Sequence, residues 1–470
     1  MTHLPTSLVQ EELAAAEAVR HHFLGIGRIG TDAPGYFVQT FGCQQNEADS
    51  ERLAGLAVSM GYRRVDTPDE ADLILVNTCA IREHAEKKAL SIIGQYKHIR
   101  DKNPGLVIGV GGCMVTQSHR SDKLKNSYPY VSFTFDTGAI HKLPSLVKDA
   151  VMGSRRQFIH SEEYAIAEGL PLAREQKHMA WLSVMYGCNN FCSYCIVPFV
   201  RGRERSRKMD DIVEEAKMLI ADGAKDITLL GQNVNSYGKD LSEGYDFADV
   251  LHRVCALDGD FRVRFMTSHP KDASDRLIEA IASEEKIVRH LHLPVQSGSD
   301  AILKRMNRRY TAEYYCSLID KMRAAVPDIS LTSDIIVGFP GETEEDFAAT
   351  LEMLKYVQYD MIFSFIYSPR IGTPAAEMPD QIPHQVSTER FERLLALQNA
   401  ISDERNRRFV GRKVRVLVEG TSKTDKNVLT GRGDIVRPIH FIGDQNKIGQ
   451  FTDVEITAST TFSLEAKEIQ

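Results

Sequence analysis

Three cysteines close together on one loop are the residues of this chain best suited to metal chemistry. Cys188, Cys192 and Cys195 are spaced C-x3-C-x2-C in the stretch GCNNFCSYC. Thiolates are soft ligands that suit iron, zinc or copper(I), and a short loop can turn three of them toward one point. Because a structural zinc or an electron-transfer cluster takes four protein ligands, three ligands leave one metal position open. These loop cysteines therefore predict a working metal site, with a zinc site completed by a distant ligand as the alternative.

A second set of three cysteines follows apolar strand patterns in the N-terminal part of the chain. Each cysteine comes directly after one such run, in the pairs 37–42 and Cys43, 73–78 and Cys79, and 107–112 and Cys113. Short apolar strands that alternate with amphipathic helices indicate a parallel sheet, and ligands collect at the carboxyl ends of such strands. We therefore expect these strand cysteines to converge on a second metal site, with three unrelated buried thiols as the alternative.

The central part of the chain, from 176 to 404, alternates strand and helix patterns. The six strand patterns lie at 181–185, 227–230, 263–266, 290–293, 331–337 and 363–367. Six such units predict an incomplete (β/α)6 barrel. Its chemistry is expected at the C-terminal ends of the strands, where the loop cysteines also fall.

Polar residues gather just past these strand ends and are candidates for binding a cofactor. They are Gln232, Asn233, Ser268, Gln296, Asp334 and, in the loop 338–343, Gly338 and Glu342. That loop opens a predicted helix, whose free N–H groups suit a carboxylate or a ribose oxygen. The alternative for each residue is that it only solvates a loop.

After a long helical pattern at 393–408 the chain changes to short strands between turns, which is typical of a small β-barrel. Nine basic residues make one side of this barrel positive: Arg407, Arg408, Arg412, Lys413, Arg415, Lys423, Lys426, Arg432 and Arg437. A small barrel with a basic face suits phosphate groups, so we expect this side to bind nucleic acid. The alternative is an ordinary solvated surface.

Length and composition narrow the remaining possibilities. With 470 residues, 43% of them hydrophobic, the chain should form two or three globular domains. The net charge of −7 does not decide nucleic-acid binding, because local charge does. The sequence has no apolar run that could span a membrane and no signal-peptide order, so we expect a cytoplasmic protein. In such a protein the eight cysteines are not expected to form a disulfide framework, and their spacing more often indicates metal binding or catalysis. Cys255 and Cys316 lie on apolar helix faces and are expected to fill the core.

Several motifs, taken together, resemble one enzyme family. They are 40–43 with Asn46, 77–83, 111–113 and the run from 187 to 204 that holds the loop cysteines. The last run resembles the cluster loop of the radical S-adenosylmethionine (SAM) enzymes. The chain after residue 34 resembles the methylthiotransferases of that class.

The resemblance implies an α/β multidomain chain. Its parts would be an N-terminal extension at 1–34, a parallel α/β domain with an auxiliary cluster at 35–150, a linker at 151–175, a radical SAM barrel at 176–404 and a TRAM β-barrel at 405–470. The extension holds a helical pattern at 11–22, and the linker holds one short strand pattern at 157–160.

The resemblance also implies two 4Fe-4S clusters and SAM as cofactors. The strand cysteines would hold the auxiliary cluster, and the loop cysteines would hold the cluster whose fourth iron binds SAM. Tyr194 would lean on the adenine of SAM. One SAM would donate a methyl group to a sulfur on the auxiliary cluster, and a second would be cleaved to a radical that removes hydrogen from the substrate.

Within the family the chain most resembles the branch that methylthiolates C2 of N6-dimethylallyladenosine beside the anticodon of tRNA. The runs 230–237 and 267–270 favour this branch, whereas Gln45 stands where methionine is more usual. The alternatives are the same chemistry on threonylcarbamoyl adenosine in tRNA or on a ribosomal protein aspartate, a radical enzyme for a small metabolite, and a two-cluster electron carrier. The implied partners are the tRNA anticodon stem-loop, an electron donor and a sulfur or iron-sulfur donor.

Overall fold

The structure, a computed structural model, describes residues 3–81, 83–153, 156–161 and 164–469. Arg82, which belongs to one of the motifs behind the resemblance, lies outside the described residues. The chain divides into two compact units. The first comprises Met1–Glu175, Tyr186–Asn189 and Ile196–Arg207, and the second comprises Gln176–Met185, Asn190–Cys195 and Lys208–Gln470.

The first unit is built on a six-stranded parallel sheet in the order β2-β1-β3-β4-β5-β6. Its strands are β1 (Gly35–Thr40), β2 (Arg63–Arg64), β3 (Leu73–Thr78), β4 (Val107–Gly112), β5 (Phe133–Phe135) and β6 (Gln157–Ile159). β3 and β4 are buried along their whole length, as their continuous apolar sequences require for a sheet covered on both faces. β6 pairs with β5, so the short strand expected in a linker is the last strand of this sheet.

Helices cover both faces of this sheet. They are α1 (Thr6–Gly25), α2 (Gln44–Ser59), α3 (Glu83–Lys102), α4 (Ser118–Ser127) and α5 (Leu143–Met152), followed later in the chain by the short α6 (Val197–Val200). The helix expected at 11–22 is longer than its pattern indicated, and it buries Val19 and Phe23 in the same core as Leu53. The N-terminal segment is therefore part of this unit's core.

The second unit contains six parallel strands alternating with helices. The strands are β7 (Met179–Ser183), β10 (Asp226–Leu230), β11 (Arg262–Phe265), β12 (His290–His292), β13 (Ser330–Val337) and β14 (Met361–Ile366). They form two three-stranded sheets, β11-β10-β7 and β12-β13-β14, which a parallel bridge between Val263 and Ile287 joins. This is the incomplete barrel that the sequence predicts, and every predicted strand lies within two residues of the observed one.

The barrel helices are α7 (Met209–Ala221), α8 (Phe247–Cys255), α9 (Asp275–Ser283), α10 (Asp300–Arg305), α11 (Ala312–Ala325), α12 (Glu344–Val357) and α13 (His384–Arg407). The apolar faces of these helices share one core with the strands, except that Ile302 of α10 belongs to a separate small cluster with Met306 and Phe339. Cys255 is buried in this core and Cys316 packs against it, as expected. Two short strands, β8 (Met185–Tyr186) and β9 (Arg205–Ser206), flank the run that holds the loop cysteines.

The C-terminal part of the second unit is a closed five-stranded barrel in the order β15-β16-β17-β19-β18. Its strands are β15 (Lys413–Thr421), β16 (Val428–Arg432), β17 (Ile439–Ile442), β18 (Phe451–Ser459) and β19 (Leu464–Glu468). Alternate residues such as Val416, Val418 and Leu429 fill its interior. The predicted small β-barrel is confirmed.

The basic side of this barrel differs from the sequence expectation, because most of its arginines are paired within the protein. Asp360, 1% exposed, accepts hydrogen bonds from Arg405 and Arg408, and its carbonyl oxygen accepts one from Arg437 at 2.6 Å. The other pairs are Arg407 with Asp403, Arg412 with Asp328, Arg415 with Asp260, and Arg432 with Glu419. The sequence pattern counted these charges without the acidic partners that the fold supplies.

The remaining three basic residues, Lys413, Lys423 and Lys426, are exposed. None of these three lysines forms a side-chain ion pair with another described residue. Within the described part of the chain, no helix has both the length and the apolar character needed to cross a membrane.

Candidate metal centres

The strand cysteines lie past the carboxyl ends of three neighbouring strands, β1, β3 and β4. Cys79 directly follows β3, Cys113 directly follows β4, and Cys43 comes three residues after β1, which ends two residues earlier than predicted. The register aligns these ends, with Thr78 opposite Gly112. The Thr78 carbonyl oxygen accepts from the Cys113 N–H and from Asn46 Nδ2, each at 2.9 Å, and Asn46 Oδ1 accepts from Cys43 Sγ. The fold therefore brings the three cysteines together at one edge of the sheet.

Two glycines permit this approach. Gly42 has φ +135°, and a Cβ there would lie 2.9 Å from Cys79 Cβ. Gly112 has φ +95°, and a Cβ there would lie 2.5 Å from the Thr78 carbonyl oxygen. Both positions combine the backbone conformation that only glycine adopts easily with a space that no side chain could enter. Larger residues would push the neighbouring cysteines apart.

An asparagine pair fixes the loop that carries Cys43. The Asn46 amide donates to the carbonyl oxygens of Phe41 at 3.1 Å and Thr78 at 2.9 Å, while Asn77 Nδ2 donates back to the Asn46 carbonyl oxygen at 2.8 Å. Asn46 Oδ1 accepts from Cys43 Sγ at 3.5 Å. Both asparagines are buried, so these bonds form in a low-dielectric interior and hold β1 and β3 in one arrangement.

The strand cysteines have the chemistry of a buried metal site. Cys79 and Cys113 are each 1% exposed, whereas Cys43 is exposed. Burial raises the pKa of the Cys113 thiol to about 12, although the Arg201 charge lowers it. Such a thiol keeps its proton at neutral pH unless a metal ion replaces it, and thiolate is the form that binds iron. Three thiols at one edge of the sheet, two of them buried, fit the ligand set of an iron-sulfur cluster.

A buried arginine reaches this site, and the sequence reading did not single it out. Arg201 Nη2 donates to Asp49 Oδ2 at 2.8 Å and to Asn46 Oδ1 at 3.1 Å. Arg201 follows the loop cysteines in the chain, within a run rich in arginine, and nothing in that run marks which arginine is buried. The only available signal was that the motif continued past Cys195.

The loop cysteines are divided between the two units. In the first unit, the Cys188 N–H donates to the Gly202 carbonyl oxygen at 3.1 Å. Asn189 and Glu204 exchange side-chain and backbone hydrogen bonds of 3.1 and 3.3 Å. The residues before and after α6 therefore fold back on each other around Cys188.

In the second unit, Cys192 and Cys195 sit on a tightly anchored segment. The Cys195 N–H donates to the Cys192 carbonyl oxygen at 2.9 Å. Ser193, between them, donates its N–H to Met306 and its hydroxyl to Arg305, at 3.0 and 2.8 Å. These bonds tie the segment to the end of α10.

Two residues in the left-handed region shape the same segment. Phe191 has φ +47° and Asn307 has φ +58°, and Asn307 Nδ2 donates to the Phe191 carbonyl oxygen at 2.8 Å. Side chains other than glycine rarely adopt this conformation, and where they do the surrounding contacts hold it, often at functional sites. Arg308 then donates Nη1 to Cys192 Sγ at 3.5 Å. The sequence reading missed both Asn307 and Arg308, which follow α10 without a recognisable motif.

Tyr194 lies half-buried beside an apolar cluster. Its ring meets that of Phe339 edge-on at 6.5 Å, among Ile302 and Met306. The contact orients the ring from one side. The expectation that it supports an adenine remains a prediction.

Two polar atoms at the ends of β10 and β11 are buried without a partner in the described structure. Asn233, 1% exposed, donates Nδ2 to Asp272 at 2.8 Å, but its Oδ1 accepts nothing. The Ser268 hydroxyl is buried and has no partner either. Leaving a buried polar atom unsatisfied costs about 1–3 kcal/mol, so such atoms call for an explanation. Both were predicted to bind a cofactor, and a ligand would satisfy them.

The loops that carry these two residues are joined by a reciprocal pair. Asn235 accepts from the His269 N–H at 2.9 Å and donates to the His269 carbonyl oxygen at 3.0 Å. Burial lowers the pKa of His269 to about 2, so the ring is neutral. Thr267, in the loop that follows β11, has φ +66°. The predicted polar loops thus form one network at the C-terminal ends of the strands.

The remaining candidates occupy neighbouring strand ends. Gln296 is buried with φ +74°, and its backbone bridges to Ile335. Asp334 lies 3.6 Å from His292 Nε2 and is half-buried, as is Gln232. Strained backbone at Gln296, as at Thr267, is typical of positions where structure is held for function.

The loop 338–343 is held by hydrogen bonds of its own, and its predicted cofactor contact stays a prediction. Glu342 accepts from the Gly338 N–H at 2.8 Å and from Arg390 on α13 at 2.9 Å. A capping box between Thr343 and Asp346 satisfies amides at the start of α12. The helix start expected to be free is thus partly used by the chain's own side chains, because Thr343 is an N-cap residue.

Three family models match the chain. The Radical SAM superfamily matches residues 182–354, the Uncharacterized protein family UPF0004 matches 35–136, and the TRAM domain matches 407–469. The radical SAM match contains the three loop cysteines and the barrel strands from β10 to β13. The UPF0004 match falls on the parallel sheet, and the TRAM match falls on the small barrel.

Proteins similar over nearly the whole length carry one name, tRNA-2-methylthio-N(6)-dimethylallyladenosine synthase. One from Thermoanaerobacter pseudethanolicus is 48% identical over 93% of this chain and 93% of its own. Another from Acetivibrio thermocellus is 50% identical over 93% of this chain and 91% of its own. A solved structure, the radical SAM methyltransferase TsrM from Kitasatospora setae, is 14% identical with a TM-score of 0.53 and covers 73% of this chain and 75% of its own, a likeness of fold.

Proposed function

We propose, from the premise that this chain belongs to the radical SAM methylthiotransferases, that it adds a methylthio group to C2 of N6-dimethylallyladenosine in tRNA. The base lies beside the anticodon. The two alternative substrates in this family, threonylcarbamoyl adenosine and a ribosomal protein aspartate, are not favoured, because the similar proteins share the dimethylallyladenosine name. The protein is an enzyme that uses SAM and 4Fe-4S clusters.

The single observation that carries this proposal is the convergence of the strand cysteines. A radical SAM barrel needs only one set of three cysteines to bind its cluster and SAM. The second set, at the edge of a separate parallel sheet with two of its thiols buried, supplies a second cluster for a second task. Attachment of sulfur is such a task, because the sulfur must be held and delivered.

The assignment of residues follows from the donor chemistry. The strand cysteines would hold the auxiliary 4Fe-4S cluster, and the loop cysteines would hold the cluster that binds SAM, each with three thiolates and one open iron. When bound, the clusters and SAM supply the sulfur, the methyl group and the hydrogen-abstracting radical. An aromatic C–H has no acidic proton, so this chemistry must come from the cofactors.

The protein's own residues bind and orient. Asn233 Oδ1 and the Ser268 hydroxyl offer SAM two buried hydrogen-bonding atoms that the chain leaves unpaired. Asp272 fixes the Asn233 amide, so its oxygen already points away from the chain's own donors. Tyr194, Gln232, Gln296 and Asp334 would line the same strand ends. Gly338 and Glu342 would act by holding their loop against α13 rather than by touching SAM.

The partners follow from the reaction. The substrate would be the anticodon stem-loop of a tRNA already carrying the dimethylallyl group, bound in part through the exposed lysines of the C-terminal barrel. An electron donor must reduce the SAM-binding cluster, and a sulfur or iron-sulfur donor must replace the sulfur consumed. Since its substrate is tRNA, we place the protein in the cytoplasm. We assign domains at 35–150, 176–404 and 405–470, with 1–34 and the strand at 157–159 joined to the first.

The test is nucleoside mass spectrometry after anaerobic incubation of the reconstituted protein with SAM, sulfide and a reductant. Three substrates are compared: tRNA with N6-dimethylallyladenosine, the same tRNA without the dimethylallyl group, and tRNA with threonylcarbamoyl adenosine. We expect the 2-methylthio product from the first only. A methylthio product from the third substrate instead of the first would contradict the proposal.

A further inference from the structure

Arg201 is buried next to the strand cysteines although it follows the loop cysteines in the sequence. Its side chain is 4% exposed, and one terminal nitrogen donates to both Asp49 and Asn46. The same Asn46 oxygen accepts from Cys43 Sγ at 3.5 Å. That contact needs the thiol form of Cys43, but Asn46 and Asp49 both lie on α2, whose N-cap residue is Cys43, so Arg201 is anchored to the helix start that carries the exposed cysteine.

The charge of Arg201 acts on the other strand cysteines too. Burial alone would lower the pKa of its guanidinium, but Asp49 and, once they are ionised, Cys113 and Cys43 raise that pKa well above its ordinary value. Arg201 is therefore always positive. Inside the protein, where solvent screens little, this charge favours the thiolate form of the sulfurs around it.

Stability alone does not explain this arrangement. A buried ion pair is often no more stabilising than well-packed apolar residues of the same size, because both charges lose their hydration. Asp49 balances one positive charge, whereas three thiolates would bring three negative charges to the same region. The helix start at Cys43, which is the N-cap residue of α2, adds a positive dipole end there. The surroundings are arranged for an anionic group.

The loop cysteines show the same device. In the second unit the buried Arg308 donates to Cys192 Sγ at 3.5 Å and to the Tyr310 hydroxyl at 2.8 Å. Each set of three cysteines thus has one buried arginine within reach of its sulfurs or their hydrogen-bonding partner. Net charge and hydrogen bonds near the sulfurs are among the factors that set a cluster's reduction potential.

We propose that Arg201 is a positioning residue of the cluster held by the strand cysteines. By bonding Asn46 and Asp49 on α2, it holds the helix start that carries Cys43, the one exposed ligand. Its charge stabilises the reduced, more negative state of the cluster and so raises the reduction potential. The proposal rests on the proposed function, which places a 4Fe-4S cluster at these cysteines.

The experiment uses the full-length chain with Cys188, Cys192 and Cys195 all changed to alanine, so that only the strand cysteines remain. In this parent we make Arg201→Gln and Arg201→Lys. The matched control is Arg207→Gln, which breaks another buried arginine pair of the same run, that with Glu168. Each protein is reconstituted anaerobically, and iron and sulfide per chain are measured. The midpoint potential is then determined by a titration monitored by electron paramagnetic resonance.

We expect Arg201→Gln to lower the equilibrium constant for one-electron reduction of the cluster at least tenfold. For a one-electron couple, a tenfold change is a shift of 59 mV to a more negative midpoint potential. Arg201→Lys keeps the charge but not the planar donor, so its shift should be smaller. Arg207→Gln should not shift the potential. If Arg201→Gln retains no cluster, a negative shift in Arg201→Lys still supports the proposal.

Two results would overturn the inference. One is an unchanged potential in Arg201 variants that hold a full cluster, and the other is an equal shift in Arg207→Gln. A parent that binds no iron would instead refute the second cluster, and with it the proposed function, before Arg201 is tested.

Discussion

At the scale of single residues, the site is marked by atoms that the chain leaves unsatisfied and by charges that it buries. The Ser268 hydroxyl and Asn233 Oδ1 have no partner, whereas Arg201 and Arg308 lie against cysteines or their immediate contacts. Each of these features costs stability in the absence of a ligand. SAM and two anionic clusters, bound as proposed, would explain them together.

Ser268→Ala tests the first feature. Because this hydroxyl has no partner in the chain, its removal should leave the thermal stability of the SAM-free protein unchanged or slightly higher. It should weaken SAM binding by about tenfold, since a hydrogen bond contributes about 1 kcal/mol or somewhat more. Equilibrium binding of SAM and calorimetric melting measure the two effects.

Ser297→Ala is the matched control, because that buried hydroxyl accepts from the Ser299 N–H at 3.2 Å. It should lower the stability of the SAM-free protein. If Ser268→Ala behaved like Ser297→Ala and bound SAM normally, the Ser268 hydroxyl would have a structural role only.

At the scale of elements, Asp360 joins the two barrels of the second unit. It stands at the start of β14 and takes hydrogen bonds from Arg405 and Arg408, and its carbonyl holds Arg437. Asp360→Asn should lower the free energy of unfolding by about 3 kcal/mol, because breaking a buried pair leaves charges without a partner. Asp403→Asn removes an exposed partner, that of Arg407, and should cost less than about 1 kcal/mol. If Asp360→Asn and Asp403→Asn lowered the free energy of unfolding in urea equally, Asp360 would stabilise the protein no more than an exposed ion pair does.

The elements were largely predictable from the sequence. The barrel strands and the positions of the strand cysteines follow from short apolar runs that alternate with helical patterns. The contacts between distant segments were not predictable. The pairing of Arg408 with Asp360, or of Arg201 with Asp49, depends on a fold that brings residues together from far along the chain. A basic run looks the same in the sequence whether it faces solvent or an acidic partner.

At the scale of the whole molecule, the tRNA must be held by charges that the protein does not already use. Lys423→Gln with Lys426→Gln should weaken tRNA binding and reduce the slope of log affinity against log salt by about 2, one for each lost phosphate contact. Arg407→Gln is the control, because that arginine is paired with Asp403 and should leave the slope unchanged. A slope that falls with Arg407→Gln but not with the lysine pair would refute this assignment.

The target adenosine must also leave its stack, since C2 of a stacked base is covered by its neighbours. A fluorescent base analogue next to that adenosine should become brighter when the protein binds. Unchanged fluorescence in a complex shown to form by an independent method would count against insertion of the base.

The most direct test of the central claim, that two sets of three cysteines serve one reaction, is a single assay of two products. The Cys43→Ala and Cys188→Ala proteins are each reconstituted, reduced and incubated with SAM, sulfide and tRNA that carries dimethylallyladenosine. Both 5′-deoxyadenosine and the 2-methylthio nucleoside are then quantified. Cys255→Ala, a buried core cysteine, is the control and should make both. We predict that Cys188→Ala makes neither product, whereas Cys43→Ala still cleaves SAM but forms no methylthio product. Normal methylthiolation by Cys43→Ala would contradict the account.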